Sequence, residues 1–543
     1  MIQPKPDRAP SSRAQTVACA LAIAAVTFAA FATTLGHGFV NWDDDVYVFA
    51  NPTIRSLSAH QVWWILSHPY FYAYIPVTLL SHALDVALWG MSPSGHHLTS
   101  VLLHCANAVW IFLLGLRLLR ASRPSALIGM SAAAILFAIH PLRAESVSWV
   151  SDRKDLLCTF FFLPGVLAYM NYSSMRGTAR ARRWYLASFL LFALAVLSKS
   201  IAVTFPVLLL LLDWLGPSPR ENRPGYVGLI REKAPFLLLS LVLTLFSFSL
   251  SPEAKKAFAV AHLSPLEAML FPLYSLSFSI YKTLLPIHLS PIYPRVGLGW
   301  MIAGLAFVVG ISGICILHAT RGRKGALLAW LAYLLLLVPT VGGLSSGVQP
   351  VADRYSYLST ISLFLLLGAG ITAALERAGA GRRIAVAASC GAAAVILASL
   401  TVAQASLWKS STSLWGYVVA GFPPKPDYSD AYLNLGVSYA QEKRLREARA
   451  ILEKAAEIDP TNAEAFYNLG VISYSEGNRE GAVELYQRAT SVDPHHAKAF
   501  YNLAVTLDEL GRNDQAIAAM VHAARLGLTA AQEQLDSHGI PWK

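Results

Sequence analysis

The chain has 543 residues, of which 55% are hydrophobic and only 14% are charged. This composition indicates a polytopic membrane protein with a soluble part attached, and it excludes a large soluble enzyme. The formal net charge of +11 indicates basic cytoplasmic loops. The sequence has no zinc-ligand spacing and no nucleic-acid-binding signature, so a nucleic-acid partner is not expected.

The first predicted element follows a polar N-terminus, residues 1–16, which we expect in the cytoplasm. It is an apolar run from Val17 to Leu35, long enough to cross a membrane. We interpret this run as an uncleaved anchor, because it exceeds the usual core of a signal peptide. A loop over residues 36–75 follows, and a helix from Pro76 to about Trp89 is predicted at the membrane interface.

Further apolar segments bring the total to about 11 predicted spans of an all-α membrane bundle, residues 17–406. The further segments are 96–116, 125–140, 155–172, 184–198, 201–215, 234–251, 299–317, 325–340, 357–375 and 384–406. Arginine-rich loops between them indicate the cytoplasmic side, so loop 36–95 and the C-terminal part are expected outside. The apolar stretch Leu266–Pro286 would invert the later loops if it crossed alone. We therefore interpret it as re-entrant or interfacial.

A 34-residue period runs through Asn434, Asn468 and Asn502 in the polar C-terminal part. It closely resembles the tetratricopeptide repeat, an α-solenoid of paired helices. We predict a linker at 407–428 and a repeat domain at 429–543. The domain comprises repeats 429–462, 463–496 and 497–530 and a capping helix at 529–537.

Three adjacent acids, Asp43, Asp44 and Asp45, directly follow the first apolar run. Their mutual repulsion can raise a pKa, and such a carboxylate could take a proton from an acceptor hydroxyl. They could equally form a solvated acidic loop that helps to set topology. A divalent cation at Asp43 and Asp44 is a further open alternative.

Other ionisable residues lie in predicted loops on the same side of the membrane as the acids. They are His140, Glu145, Arg153, Lys154, Lys199, Asp353, Arg354 and Tyr355. The cations among them suit an anion such as a phosphate. The alternative is local ion pairing of Glu145 with Arg153 and of Asp353 with Arg354. The histidines His82, His96, His97 and His104 have no metal-ligand companions in sequence, and we interpret them as packing or interfacial residues.

In order along the chain, these motifs resemble a known family. The motifs are Trp42-Asp43-Asp44, Asn51, Pro76-Val77-Thr78, His97-Leu98-Thr99, His104, His140-Pro141, Glu145-Ser146-Val147, Arg153-Lys154-Asp155, Leu197-Ser198-Lys199, Ala352-Asp353-Arg354-Tyr355-Ser356-Tyr357, Leu407-Trp408 and the repeats. The family is that of the transmembrane and tetratricopeptide-repeat O-mannosyltransferases and their bacterial relatives. These proteins have the C-type fold of glycosyltransferases that use polyprenyl-phosphate sugars.

The resemblance implies an enzyme that transfers mannose from a polyprenyl-phosphate donor to a hydroxyl, such as Ser or Thr of a protein, outside the membrane. It implies Asp43 and Asp44 as the catalytic pair. Cationic residues would bind the donor phosphate, and further residues would support the site. The cations are Arg153, Lys154, Arg354 and Lys199, and the supporting residues are Asp45, Asn51, His140, Glu145, Asp353 and Tyr355. Ile75 and Ser200 depart from the family pattern, which has Arg and an acid there.

The implied partners are the lipid-linked sugar, the bilayer, and an acceptor protein or peptide held by the repeats. The implied location is integral and multi-pass, in the inner membrane if the organism is bacterial. Three alternatives stay open: a non-catalytic membrane scaffold, transfer to a glycolipid, and a transporter. The last is least favoured, because the ionisable residues gather at one membrane face and not at the midplane.

Overall fold

The computed structural model describes residues 12–71, 73–120, 123–216, 224–249, 264–341, 349 and 351–543. Residues 1–11 of the predicted cytoplasmic N-terminus lie outside these ranges. The chain forms two compact units, Met1–Lys409 and Ser410–Lys543. In the described ranges the regular structure is helical, apart from an isolated bridge between Tyr70 and Ala73. The predicted all-α class is therefore confirmed.

In its described residues, the first unit has sixteen α-helices, joined by short 3₁₀ segments and one π-helical turn, Asp45–Phe49. They are α1 (Arg13–Phe31), α2 (Ala59–Ser67), α3 (Pro76–Trp89), α4 (Pro93–Leu119), α5 (Pro124–Ala138), α6 (Ala144–Ser148), α7 (Arg153–Ser174), α8 (Ala181–Ser198), α9 (Phe205–Leu215), α10 (Tyr226–Ser249), α11 (Pro265–Leu284), α12 (Leu298–Thr320), α13 (Gly325–Leu337), α14 (Ser356–Ser359), α15 (Ile361–Arg377) and α16 (Ala380–Leu407).

Among the described residues, six helices are long and apolar enough to cross a membrane, or up to eight if each of two bent pairs is one span. The six correspond to α1, α4, α7, α8, α12 and α16. The bent pairs join α5 to α6 and α14 to α15. Two more predicted spans are shorter apolar helices, Ser200–Leu215 and Gly325–Thr340, and the remaining one corresponds to α10. The chain is thus a multi-pass membrane protein.

The stretch predicted as re-entrant or interfacial forms the single helix α11. Ser264 caps it, with its hydroxyl accepting a hydrogen bond from the Glu267 backbone and the Glu267 carboxylate reaching back to the Ser264 backbone. Pro272 lies inside the helix without ending it. A re-entrant hairpin needs a break that this helix lacks, and α11 is not among the candidate spans of the described residues.

Buried polar contacts tie the helices of the first unit together beneath the loops. The Asn107 amide of α4 donates to the Leu156 carbonyl at 3.0 Å and to the Tyr357 hydroxyl at 3.1 Å. His104 lies 2.6 Å from the same hydroxyl. These buried hydrogen bonds favour one arrangement of α4, α7 and α14. These contacts set the positions of the loop segments that follow or precede those helices.

The second unit begins with a short helix and continues as paired helices. These are α17 (Ser411–Gly421), α18 (Ser429–Gln441), α19 (Leu445–Ile458), α20 (Ala463–Ser475), α21 (Arg479–Val492), α22 (Ala497–Glu509), α23 (Asn513–Arg525) and α24 (Thr529–Ser537). The predicted linker therefore contains a helix, α17, which buries Leu414, Trp415 and Val418. Small residues allow each pair to approach: a Cβ on Gly470 would lie 2.6 Å from the Tyr486 ring.

Candidate active site

The loop after α1 carries the three acids and is held in one conformation by Asn51. The Asn51 side-chain oxygen accepts hydrogen bonds from the Thr53 backbone at 2.8 Å and the Thr53 hydroxyl at 2.6 Å. Its amide donates to the Tyr47 carbonyl at 3.1 Å. Asn51 therefore supports the loop as a cap of the 3₁₀ turn Pro52–Ile54.

Asp44 points into the protein and is only 1% exposed. One carboxylate oxygen accepts a hydrogen bond from the Val40 backbone at 3.0 Å. The other accepts two from Ser151, from its backbone at 2.9 Å and its hydroxyl at 2.6 Å. Burial raises the pKa of Asp44 to about 7, although these hydrogen bonds oppose the shift. The geometry makes Asp44 the anchor of the loop on the segment before α7.

Asp43 has a left-handed backbone, with φ of 64°, which is unusual for a residue with a side chain. Within the described ranges its partly exposed carboxylate makes no hydrogen bond or ion pair. Burial raises its pKa, the positive charges of Lys154 and Arg354 oppose this, and Asp45 and Asp152 add to it. Asp43 is therefore a carboxylate whose electrostatic neighbours include both cations and acids.

Lys154 has no ion-pair partner among the described residues. Its ammonium group lies 5.3 Å from the centre of the Tyr47 ring and 5.7 Å from that of Trp149, within the range of cation–π attraction. The Trp149 indole in turn donates to the Trp42 carbonyl at 2.6 Å. A partly buried lysine held by ring faces retains its three hydrogen-bond donors for an anionic ligand.

Arg354 pairs with Glu145, a residue 209 positions earlier in the chain. The Glu145 carboxylate accepts from the guanidinium and, at 2.8 Å, from the Arg354 backbone. The guanidinium lies 5.3 Å from the Trp149 ring centre and its side chain is 12% exposed. Arg354 thus keeps part of its surface open beside Trp149, the ring that Lys154 also faces.

Lys199 belongs to a second group of charges next to this pair. Its ammonium donates to Asp155 at 2.7 Å and lies 3.9 Å from Asp152. Asp152 is fully buried, and neither of its carboxylate oxygens has a hydrogen-bond partner in the described part of the chain. Asp152 is not among the site residues predicted from the sequence, although its position beside Arg153 and Lys154 is a usable signal.

Arg153 is placed differently from the other predicted phosphate ligands. Its guanidinium is fully buried and pairs with Asp85 of α3 at 2.5 Å. It also donates to Ser81, Ser100 and the His96 carbonyl of the neighbouring helices. These contacts give Arg153 the role of joining α3, α4 and α7.

The two local ion pairs considered from the sequence are wrong. Glu145 pairs with Arg354 and not with Arg153. Asp353 accepts a hydrogen bond from Tyr293 at 2.7 Å and makes no ion pair with its neighbour Arg354 in the described ranges. Pairing by sequence proximity fails here, because the loops between helices bring distant residues together.

The remaining supporting residues lie around the charged groups. His140 caps the turn Pro141–Arg143 and lies 3.0 Å from the Thr283 carbonyl. The Tyr355 ring packs against the Arg354 guanidinium, with 5.0 Å to its centre. Ile75, which departs from the family pattern, is buried in an apolar cluster with Tyr47. Ser200 starts a 3₁₀ segment beside Lys199.

The three acids do not form a group that could hold a metal ion among the described residues. Asp44 in particular uses both oxygens for hydrogen bonds within the protein. Within the described ranges, His82, Asp85 and His96 come together as possible metal ligands. The sequence alone favours a packing or interfacial role for both of these histidines.

Family models match the second unit. A family model described as Tetratricopeptide repeat matches residues 473–527, and one described as TPR repeat matches 438–477. The presence of tetratricopeptide repeats is thereby confirmed.

The chain is 33% identical over 208 residues to Protein O-mannosyl-transferase Tmtc1 of Drosophila melanogaster. This alignment covers 36% of the present chain and 23% of the Drosophila protein. It is 31% identical over 209 residues to Protein O-mannosyl-transferase TMTC4 of Homo sapiens, covering 34% of this chain and 27% of that protein. The chain thus spans about a quarter of the length of these relatives.

Among solved structures, ArnT from Cupriavidus metallidurans in the apo state aligns with 90% of this chain and 79% of its own, at 17% identity and a TM-score of 0.37. The sequence matches confirm the resemblance stated above. The chain carries tetratricopeptide repeats and, over about a third of its length, is similar to protein O-mannosyl-transferases.

Proposed function

We propose that the chain is a membrane glycosyltransferase that moves a sugar from a polyprenyl-phosphate donor to a hydroxyl acceptor. Its similarity to proteins named O-mannosyl-transferases supports mannose as the sugar and Ser or Thr of a protein as the acceptor. The basic loops of the sequence support a reaction on the external side of the membrane. The repeats would bind the acceptor protein, because stacked helix pairs offer an extended surface for peptides.

One observation carries the proposal. Asp43 presents a partly exposed carboxylate without a protein partner in the described ranges, and its electrostatic neighbours include Lys154 and Arg354. A base next to two cations is the arrangement that a reaction with a phosphate leaving group needs. A solvated acidic loop would not require the burial that raises the pKa of Asp43.

In the proposed reaction, the acceptor hydroxyl gives its proton to Asp43. The hydroxyl oxygen forms a bond to the anomeric carbon as the bond from that carbon to the phosphate oxygen breaks. The polyprenyl phosphate leaves with both bonding electrons, and attack from the opposite face inverts the anomeric configuration. Lys154 and Arg354 stabilise the negative charge that grows on the leaving phosphate.

The acids and cations of the site would then have separate roles. Asp44 holds the loop, since its oxygens are occupied by Val40 and Ser151. Lys199 lies beside Asp155 and Asp152 and would bind the phosphate from that side. Arg153 is not among the proposed phosphate ligands, because its donors are used by Asp85 and the neighbouring helices.

The test is transfer of radiolabelled mannose from polyprenyl-phosphate mannose in membranes that contain the full chain. We expect Asp43→Asn to reduce transfer by about 10²–10⁴-fold, the usual contribution of a general base. The control is Asp514→Asn, an exposed acid of α23, which should transfer like the parent. Transfer by Asp43→Asn at the parental rate, at equal expression, would disprove the proposal.

The same assay separates the acceptors. Label recovered in protein supports the proposed acceptor, whereas label in lipid alone would assign the chain to glycolipid synthesis. Label in neither fraction, with several sugars tried, would favour a non-catalytic scaffold.

A further inference from the structure

Three potential metal ligands meet between α3 and α4. His82 and Asp85 lie one helical turn apart on α3, and His96 lies in the first turn of α4. One ligand atom from each of the three lies within 4.8 Å of the others, and all three residues are buried. Residues three apart on a helix share a face, so α3 presents both of its ligands to α4.

The environment of His82 independently supports a metal ion at this place. Its side chain is fully buried, and neither ring nitrogen has a hydrogen-bond partner among the described residues. A buried polar group without a partner is rare in folded proteins, because it loses its water without compensation. An imidazole in this state is ready to give its lone pair to a metal ion.

His96 shows the hydrogen-bond pattern of a metal ligand. Its Nε2 lies 3.2 Å from the Gly90 carbonyl, which can only accept, so Nε2 carries the hydrogen. In the neutral ring, Nδ1 then has a lone pair, and it lies 3.4 Å from the Asp85 carboxylate. A metal ion between this nitrogen and the carboxylate would bind both groups. A backbone carbonyl on the second nitrogen is the usual way to orient a ligating histidine.

Asp85 is also oriented by neighbours. Its Oδ1 accepts a hydrogen bond from the Thr99 hydroxyl at 2.7 Å, and Arg153 lies 2.5 Å from Oδ2. Arg153 weakens the negative charge available to a metal and is the main opposing feature. Its other hydrogen bonds go to Ser81, Ser100 and the His96 carbonyl, so it leaves His82 unpaired.

We propose that His82, Asp85 and His96 bind a divalent transition-metal ion, with Zn²⁺ the best fit to two imidazoles and one carboxylate in a buried site. The ion holds α3 against α4. Its position also affects the acidic loop, because the Phe39 ring packs edge-on against His96 at 5.4 Å. The site is a structural one, and the proposal does not depend on the sugar transferred or on the chain being an enzyme.

The experiment measures metal directly in the purified full chain. The protein is stripped with a chelator, titrated with Zn²⁺, and analysed for bound metal by mass spectrometry. We expect one tightly bound ion per chain, and its loss in His82→Ala and in His96→Ala. With Co²⁺ in place of Zn²⁺, the parent should show the visible absorption of a low-coordinate site.

Two further variants sharpen the test. His60→Ala removes an exposed histidine of α2 and should bind Zn²⁺ like the parent. Thr99→Val removes the hydrogen bond to Asp85 and keeps every ligand, so we expect Zn²⁺ affinity to fall about 10-fold. This variant answers the question even if the histidine variants do not fold.

The proposal is overturned if the stripped parent takes up no Zn²⁺ in the titration. It is also overturned if folded His82→Ala and His96→Ala proteins retain the ion, or if Thr99→Val binds it as tightly as the parent. In those cases Arg153 alone neutralises Asp85, and the histidines serve packing.

Discussion

Ser151 donates two hydrogen bonds to the same carboxylate oxygen of Asp44, from its backbone at 2.9 Å and its hydroxyl at 2.6 Å. These two residues are 107 positions apart, and their contact joins the loop after α1 to the segment before α7. The contact sets the position of Asp43, the next residue back, relative to Lys154, three residues beyond Ser151. Under the proposed mechanism the site therefore depends on Asp44 as an anchor as well as on Asp43 as the base.

Removal of the anchoring hydroxyl tests this dependence. Ser151→Ala deletes one hydrogen bond to a buried carboxylate, and we expect the free energy of unfolding to fall by about 1.5–3 kcal/mol. Transfer activity should fall with it, because the loop loses its attachment. Thermal unfolding in detergent measures the first effect. Ser399→Ala is the control, since this exposed hydroxyl bonds only the Val395 carbonyl of its own helix; equal stability of the two variants would contradict the prediction.

The pH dependence of stability follows from the same anchor. Burial raises the pKa of Asp44 from its ordinary 3.8 to about 7, so the folded state binds this proton more tightly than the unfolded state. Its contribution to stability is complete below pH 4 and is lost as the pH rises through about 7. We expect Asp44→Asn to remove this part of the pH dependence. Unfolding curves between pH 4 and pH 8 measure it, and a parental profile in the variant would refute the assignment.

Lys154 is expected to lower the pKa of Asp43, the proposed base. Its positive charge lowers the pKa of Asp43 against the effect of burial. Lys154→Met should therefore raise that pKa, and the acid limb of the pH–rate profile should move to higher pH. The rate on the plateau should also fall, because a cation near the leaving phosphate is gone. A lower plateau rate with an unshifted acid limb would show that the charge of Lys154 does not influence the pKa of Asp43.

Local patterns in the sequence were enough to predict the helical class, the repeats and the acidic loop. The apolar runs and the 34-residue period each lie within one stretch of chain and need no partner to be recognised. The anchoring role of Asp44 depends on its contact with Ser151, 107 positions away, and could not be predicted from the residues next to Asp44. The same holds for the His82, Asp85 and His96 group, which α3 and α4 assemble by packing.

The ion pairs show most clearly what could not be predicted from the sequence. The sequence suggested neighbours as partners, yet Arg153 pairs with Asp85 and Glu145 with Arg354. A buried ion pair needs excellent geometry to offset the loss of water. In this protein that geometry comes from helices that meet only in the folded bundle, so adjacency in sequence carried little information.

The ion pair between Glu145 and Arg354 is expected to contribute to the stability of the fold. Both groups are largely buried, with side-chain exposures of 3% and 12%, so removal of one partner leaves the other uncompensated. We expect Glu145→Gln to cost about 3–5 kcal/mol of unfolding free energy. Arg354→Met should cost a similar amount. The double variant should be less destabilised than the sum of the two, because no unpaired charge remains.

A double-mutant cycle on thermal and denaturant unfolding measures this coupling. Activity distinguishes the roles of the two residues. If Arg354 also binds the leaving phosphate, the double variant regains stability but not transfer, because the neutral side chain at position 354 offers no positive charge to the phosphate. Recovery of both would mean that Arg354 serves only as the partner of Glu145, and the phosphate would then depend on Lys154 and Lys199.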